Sequence, residues 1–239
     1  MAKEKGYVSF VLHAHLPFIH HPESEDYLEE QWLYEAMSET YIPLLMNFKK
    51  LEEEKVDFRL TMSMTPPLLN MLDNKLLQRR YIKYLKKHIE LAKKELVRTK
   101  DDKRLNELAK YYFDRYSNDL HIFKDVYNCN LIQGFKYFQD IGVLEIITCG
   151  ATHGYFPILY ITEQTVKAQI AVGVQTYKKY FGKAPTTSAS PPVFINGTAS
   201  DAINKTFFIP ISISERVIFK RISPAFARKQ RASYFFLST

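Results

Sequence analysis

No run of this 239-residue chain reaches the roughly 18 consecutive apolar residues that a membrane-spanning helix needs. The N-terminal stretch, Met1-Ala-Lys-Glu-Lys-Gly-Tyr-Val-Ser-Phe-Val-Leu, starts charged, and His13 cuts its apolar run short of the about 7–15 residues of a secretory h-region. Membrane insertion and export are therefore excluded as expectations, and the segment reads as the first strand of a cytoplasmic protein. Cysteine is scarce. Cys129 and Cys149 form no CxxC pair and no disulfide framework, which fits a reducing compartment. Tryptophan is almost absent, with Trp32 alone against 17 Phe and 16 Tyr, an aromatic supply that suits a packed α/β core and also carbohydrate-stacking clefts.

A net charge of +7 points toward nucleic acid, but its distribution does not. Lys205, Arg216, Lys220, Arg221, Arg228, Lys229 and Arg231 face only Asp201 and Glu215 in the stretch from Ala184 onward, so most of the excess sits in the last quarter. The remainder is near balance, as on a solvated enzyme surface, and no nucleic-acid partner is expected.

Three segments read as buried strands that end abruptly at Pro, Gly or a polar cluster. They are Tyr7–Leu12 before His13-Ala-His-Leu-Pro17, Phe58–Met64 before Pro66-Pro67, and Leu144–Thr148 before Cys149-Gly-Ala-Thr-His-Gly154. Between them lie helical patterns. Asp73 or Asn74 caps a helix to about Val97, with Leu77, Tyr81, Leu85, Ile89 and Ala92 at helical spacing and the lysines elsewhere. Further helical regions run over about Lys103–Asp140 and Glu163–Tyr180, and Glu35–Leu51 is helical with a break near Pro43. Strands alternating with long helices imply βα units and a parallel sheet. In such barrels the polar residues at the C-terminal strand ends line the active site, which makes His13, His15, Ser63, Thr65 and His153 candidates for one rim.

Four blocks carry a family resemblance. They are HAHLPF from His13, EQWLYEAMSETYIPLL over Glu30–Leu45, TMSMTPPL over Thr61–Leu68, and LEIITCGATHGYFPIL over Leu144–Leu159. Together, and in this order, they resemble glycoside hydrolase family 57, with TCGATHGY most similar to the 1,4-α-glucan branching enzymes within it. The resemblance implies an α/β fold, a (β/α)7 barrel of parallel strands, and retaining transglycosylation on α-1,4-glucans without metal or cofactor. His13 and His15 would match the first-strand histidines lining the donor subsite, and His153 the third-strand histidine beside the reacting sugar. Trp32 is either a sugar-stacking platform or, beside Leu33 and Met37, a core residue.

The pattern departs from the family after about residue 185. Where a strand of the WLPEC type should supply the nucleophilic Glu, Thr186-Thr-Ser-Ala-Ser-Pro-Pro offers no acid until Asp201, and no Trp follows Trp32. The acid/base Asp is expected further along than Thr239. The chain therefore divides into residues 1–185, the N-terminal part of an incomplete barrel; 186–232, an atypical basic segment; and 233–239, a residual strand. A retaining glycosidase needs two carboxyls about 5–5.5 Å apart, so an inactive protein is expected, with no catalytic residue assigned. Its partner is an α-1,4-glucan of the glycogen or starch type, and a separately encoded remainder of the barrel is a second. Two other readings stand beside this one. A non-catalytic glucan-binding or partner module accounts for the missing carboxyls. A metal-dependent hydrolase uses His-x-His at a first strand end, but needs further ligands, and after the N-terminal histidines only His88, His121 and His153 remain, the first two in helical stretches.

Overall fold

The computed structural model describes residues 10–185. Residues 7–9 of the expected first strand, and both the 186–232 and 233–239 segments, lie outside the described residues. The described chain forms two compact units. One comprises residues 10–15, 58–69 and 138–185, and the other residues 16–57 and 70–137.

The first unit is built on a three-stranded parallel sheet, β1 (Val11–Ala14), β2 (Leu60–Met64) and β3 (Leu144–Ile147), in the order β1-β2-β3. Register pairs His13 with Ser63, Ala14 with Met64 and Ser63 with Ile147. β1 runs two residues further than the expected Leu12, because the alternation that brings Ala14 inward carries His13 into the ladder. Met62, Met64, Leu144 and Ile146 are buried, the apolar filling expected of parallel strands. After β3 come a short helical turn, α7 (Phe156–Leu159), and a long helix, α8 (Glu163–Phe181). α8 buries Val166, Ile170, Gly173, Tyr177 and Phe181, a stripe at helical spacing. It stops at Gly182, whose φ of 73° is the left-handed cap that glycine adopts without penalty. Tyr177 ties helix to sheet by donating to the Ile146 carbonyl at 3.0 Å.

The second unit is helical. α1 (Leu28–Ala36) passes through a π-helical turn, Met37–Tyr41, into α2 (Ile42–Glu53). The expected break near Pro43 is a π-turn instead: the helix runs on through it, and the Ser38 carbonyl, five residues before Pro43, accepts from the Arg115 guanidinium at 3.0 Å. Pro66-Pro67 likewise does not merely end a strand but opens a helix, α3 (Pro66–Asp73), since proline is pre-organised for a first turn. In α4 (Lys75–Arg98) the cap is Asn74, whose carboxamide oxygen accepts from the N–H groups of Leu76 and Leu77 at 2.9 and 3.1 Å. α5 (Lys103–His121) is capped by Asp102, accepting from Leu105 N–H at 3.0 Å. The helical stretch expected over Lys103–Asp140 is two helices. A π-turn at Ile122–Val126 and two left-handed residues, Asn128 and Cys129 (φ 47° and 62°), separate α5 from α6 (Leu131–Asp140).

Within this unit a carboxylate is buried with its cation. Glu30, 2% exposed, meets Arg80 at 2.5 Å and accepts from the Tyr34 hydroxyl at 2.9 Å. Arg80 also donates to the carbonyls of His21 and Ser24, so one guanidinium fastens the loop ahead of α1 to α4. Glu23 and Glu25 stay at the surface, as their position in a polar loop suggests.

A histidine cluster at the strand ends

β1 carries His13 near its C-terminal end, and His15 follows one residue past the strand. β2 answers with Ser63, which the parallel register sets opposite His13, and Thr65 follows just past the strand, its N–H donating to the Ala14 carbonyl at 3.3 Å. Ser63 Oγ lies 2.7 Å from His13 Nδ1, and Thr65 Oγ1 lies 3.0 Å from His15 Nδ1. Both hydroxyl residues are buried, so neither imidazole's Nδ1 edge depends on water. β3 contributes through the turn that follows it. There His153 takes a φ of 55°, a left-handed conformation that costs a non-glycine residue about 1 kcal/mol. That turn closes with His153 N–H donating to the Gly150 carbonyl at 3.0 Å.

The three imidazoles converge. His153 Nε2 stands 3.2 Å from His13 Nε2, and the His15 and His153 rings stack with centroids 3.8 Å apart and planes 12° from parallel. The centroids of His13 and His15 are 6.0 Å apart. A nitrogen-to-nitrogen hydrogen bond holds one proton, so one imidazole donates its Nε2–H and the other offers a lone pair. Where His13 is the donor, its Nδ1 accepts from the Ser63 hydroxyl; where His153 is the donor, His13 Nδ1–H donates to Ser63. Two imidazolium rings would set N–H against N–H.

Electrostatics keep the cluster neutral. Burial lowers the pKa of His13. Burial first, and then the charge His153 and His13 would carry, push His15 down to about 4. His153 is lowered by burial and by His13, partly opposed by a backbone hydrogen bond. At neutral pH each ring is thus both donor and acceptor, the same pairing ability as a sugar hydroxyl.

The turn bearing His153 is clamped from α8. Gly173 lies so close to the end of β3 that a Cβ there would stand 2.4 Å from the Cys149 carbonyl oxygen. One helical turn earlier, the Gln169 side chain accepts from Thr152 N–H at 2.9 Å and donates to Thr152 Oγ1 at 2.8 Å. The Gln169 carbonyl accepts from Ala151 N–H at 2.9 Å. Phe156, just past the turn, packs on Val166 and Ile170 of the same helix. Sequence reading passed over Gln169 and Gly173, because a glutamine and a glycine in an amphipathic helix carry no signal until the helix is docked.

The other candidates fall elsewhere. Trp32 is on α1 in the helical unit and 46% exposed, whereas Leu33 and Met37 beside it are buried, so Trp32 is not a core residue. Cys149 is buried and its thiol is pushed up to about 12 by burial, which leaves it protonated and unreactive at neutral pH. His88 and His121 lie on α4 and α5, in the helical unit. Among the described residues no group of three or more His, Cys, Asp or Glu side chains is arranged to hold a metal ion, so the metal-hydrolase reading finds no ligand set there. No helix among the described residues is long and apolar enough to cross a membrane.

A parallel α/β sheet with imidazoles and hydroxyls converging at its C-terminal strand ends is the plan of a barrel-type enzyme site. The profile of Glycosyl hydrolase family 57 matches residues 9–206, and the chain belongs to that family. A curated relative, the 1,4-alpha-glucan branching enzyme of Thermococcus kodakarensis, is 36% identical over 181 residues, which is 76% of this chain and 26% of that protein. Among solved structures, the alpha-amylase AmyC from Thermotoga maritima superposes with a TM-score of 0.78 at 42% identity, covering 84% of this chain and 38% of its own. The family 57 branching enzyme of Pyrococcus horikoshii gives a TM-score of 0.72 at 37% identity, covering 79% of this chain and 35% of its own. The chain thus spans about a quarter to two fifths of the length of these relatives.

Proposed function

We propose that His13, His15 and His153 line a sugar subsite for α-1,4-linked glucan, in the N-terminal part of a family 57 barrel of the branching type. The sheet β1-β2-β3 would supply the first strands of a seven-stranded barrel, with the remaining strands contributed by chain outside the described residues or by a separate polypeptide. The observation that carries this reading is the convergence of three neutral imidazoles from two strand ends: His13 is engaged by Ser63 and His153, and His15 Nε2 and His153 Nδ1 are the ring nitrogens that would meet sugar hydroxyls. Neutrality suits the chemistry of retaining glycoside transfer. Its transition state carries positive charge on the sugar, which an imidazolium within a few ångströms would repel.

The 239-residue chain is proposed to bind glucan without turning it over. Among the described residues the charges that act on the three imidazoles come from one another, with no carboxylate among them. No acid occurs in the sequence between Pro185 and Asp201, where the family's nucleophile motif belongs. Electrophoresis through glycogen-containing gels tests binding, and iodine staining of amylose tests turnover. The expected result is saturable retardation, weakened about tenfold or more by His13→Ala, with no loss of iodine colour. Absence of retardation by the unaltered chain would sink the subsite reading, and loss of iodine colour would sink the inactive one.

A further inference from the structure

His153 is useful to the cluster only in its left-handed conformation, and nothing within the Cys149–Gly154 turn compensates for that strain except the single Gly150 to His153 backbone hydrogen bond. The preceding residue, Thr152, is the lever. Its N–H and its hydroxyl are both engaged by one side chain from α8, and the N–H of Ala151 before it is engaged by that same residue's carbonyl. Three hydrogen bonds from one residue fix two consecutive peptide groups, and the rotation left to His153 is small.

We infer that Gln169 is a positioning residue: through Thr152 it holds His153 against His13 and so sets the geometry of the imidazole cluster. α8 is itself placed by the close approach of Gly173 to Cys149, so Gln169 reaches the turn from a helix fixed one turn further along. A carboxamide suits this task because it accepts with one end and donates with the other, matching the Thr152 N–H and the Thr152 hydroxyl together. Among the described residues the side-chain hydrogen bonds of Gln169 go to Thr152 and not to an imidazole, so its role is one of placement. Its role at a sugar site rests on the proposed function; its role in placing His153 does not.

The test uses the full chain with 15N-labelled histidine. In the unaltered protein the nitrogen-to-nitrogen hydrogen bond between His13 and His153 should give a slowly exchanging imidazole N–H proton, and His153 should titrate below an exposed histidine. Gln169→Met keeps the volume and the helix propensity but removes both side-chain hydrogen bonds. It should abolish that proton signal, move the His153 midpoint up toward the ordinary value, and weaken glycogen retardation about three- to tenfold. Gln169→Glu still accepts from Thr152 N–H, and the Thr152 hydroxyl turns to donate to the new carboxylate, so this variant should retain the signal. A folded Gln169→Met protein with an unchanged proton signal and His153 midpoint overturns the inference. If Gln169→Met does not fold, Gln169→Glu decides: retention of the signature supports the role, and its loss from a folded Glu variant overturns it. Failure of the unaltered chain to bind glycogen overturns only the sugar reading, because the imidazole signature is read without ligand.

Discussion

The two compact units bury polar groups by opposite means. In the sheet-bearing unit the half-buried groups are imidazoles, bases that shed their charge when desolvated, held by the hydroxyls of Ser63 and Thr65. In the helical unit the deeply buried group is a carboxylate, Glu30, kept in place by a guanidinium and a tyrosine hydroxyl. A carboxylate paired with Arg80 is a structural fastener: it brings a loop and two helices together, with its bonds directed to groups of its own chain. A neutral histidine cluster leaves donors and acceptors at its edge. The contrast separates a site that is built to hold its own chain from one that is built to hold something else.

The sharpest way to break the comparison is to remove one partner of the buried pair. Arg80→Ala leaves the Glu30 carboxylate desolvated and frees the carbonyls of His21 and Ser24, and should cost about 3–5 kcal/mol, measured by urea denaturation. A loss under about 1 kcal/mol would mean that water replaces the guanidinium and that the pair is no fastener.

Acid tests the other unit. The folded pKa of His15 lies below its unfolded value, so the unfolded chain binds the proton more readily. The corresponding stability is present above about pH 6.5 and is lost as pH falls through about 4. Because the ring is only half-buried, solvent screening reduces the effect to about 2 kcal/mol. His13 and His153 act in the same direction. Denaturation midpoints should fall between pH 7 and 4, and His15→Gln should flatten that fall.

A smaller effect is expected where the helical unit departs from its own rule. Asp119 is 3% exposed, one of its carboxyl oxygens finds no hydrogen-bond partner among the described residues, and burial raises its pKa to about 7. A carboxyl whose folded pKa is raised contributes stability at low pH that is lost as pH rises through that value. Asp119→Asn should therefore stabilise the protein by roughly 1 kcal/mol at pH 8.5 and leave it nearly unchanged at about pH 3, below the unfolded value of the carboxyl, read as thermal midpoints. Stabilisation equal at both pH values would show that packing, not charge, sets the cost.

Much of the architecture was legible residue by residue. Leu77, Tyr81 and Leu85 at helical spacing behind Asn74 predicted a helix that the structure begins one residue after that cap. The apolar run Leu144–Thr148 before Cys149-Gly150 predicted a strand that the structure closes at Ile147. Boundaries failed where a residue had two uses. Proline reads as a terminator, yet Pro66 begins a helix, because the N–H it lacks is one that a first turn leaves unbonded anyway, and Pro43 sits just past a π-turn in a helical run that continues. Asn128 and Cys129 carry no strong break signal, and their left-handed backbone goes with a closing bond at the helix end, Cys129 N–H to the Phe123 carbonyl at 2.8 Å.

For the candidate site the division is similar. Chemistry-bearing residues at strand ends stood out, and their position alone made His13, His15, Ser63, Thr65 and His153 candidates for one rim. Trp32 stood out for its rarity, and only its exposure on α1 removed the core alternative. By itself the sequence determined the α/β class, the long helix behind Asp73-Asn74, the strand-end histidines and the family, because these depend on short blocks of residues near one another along the chain. Tertiary structure alone decided that Ser63 meets His13, that His153 turns back onto both histidines, and that Gln169 and Gly173 hold that turn. Those contacts join residues far apart in sequence. Their distances are fixed by the register of three strands and the docking of one helix, and no local pattern encodes either.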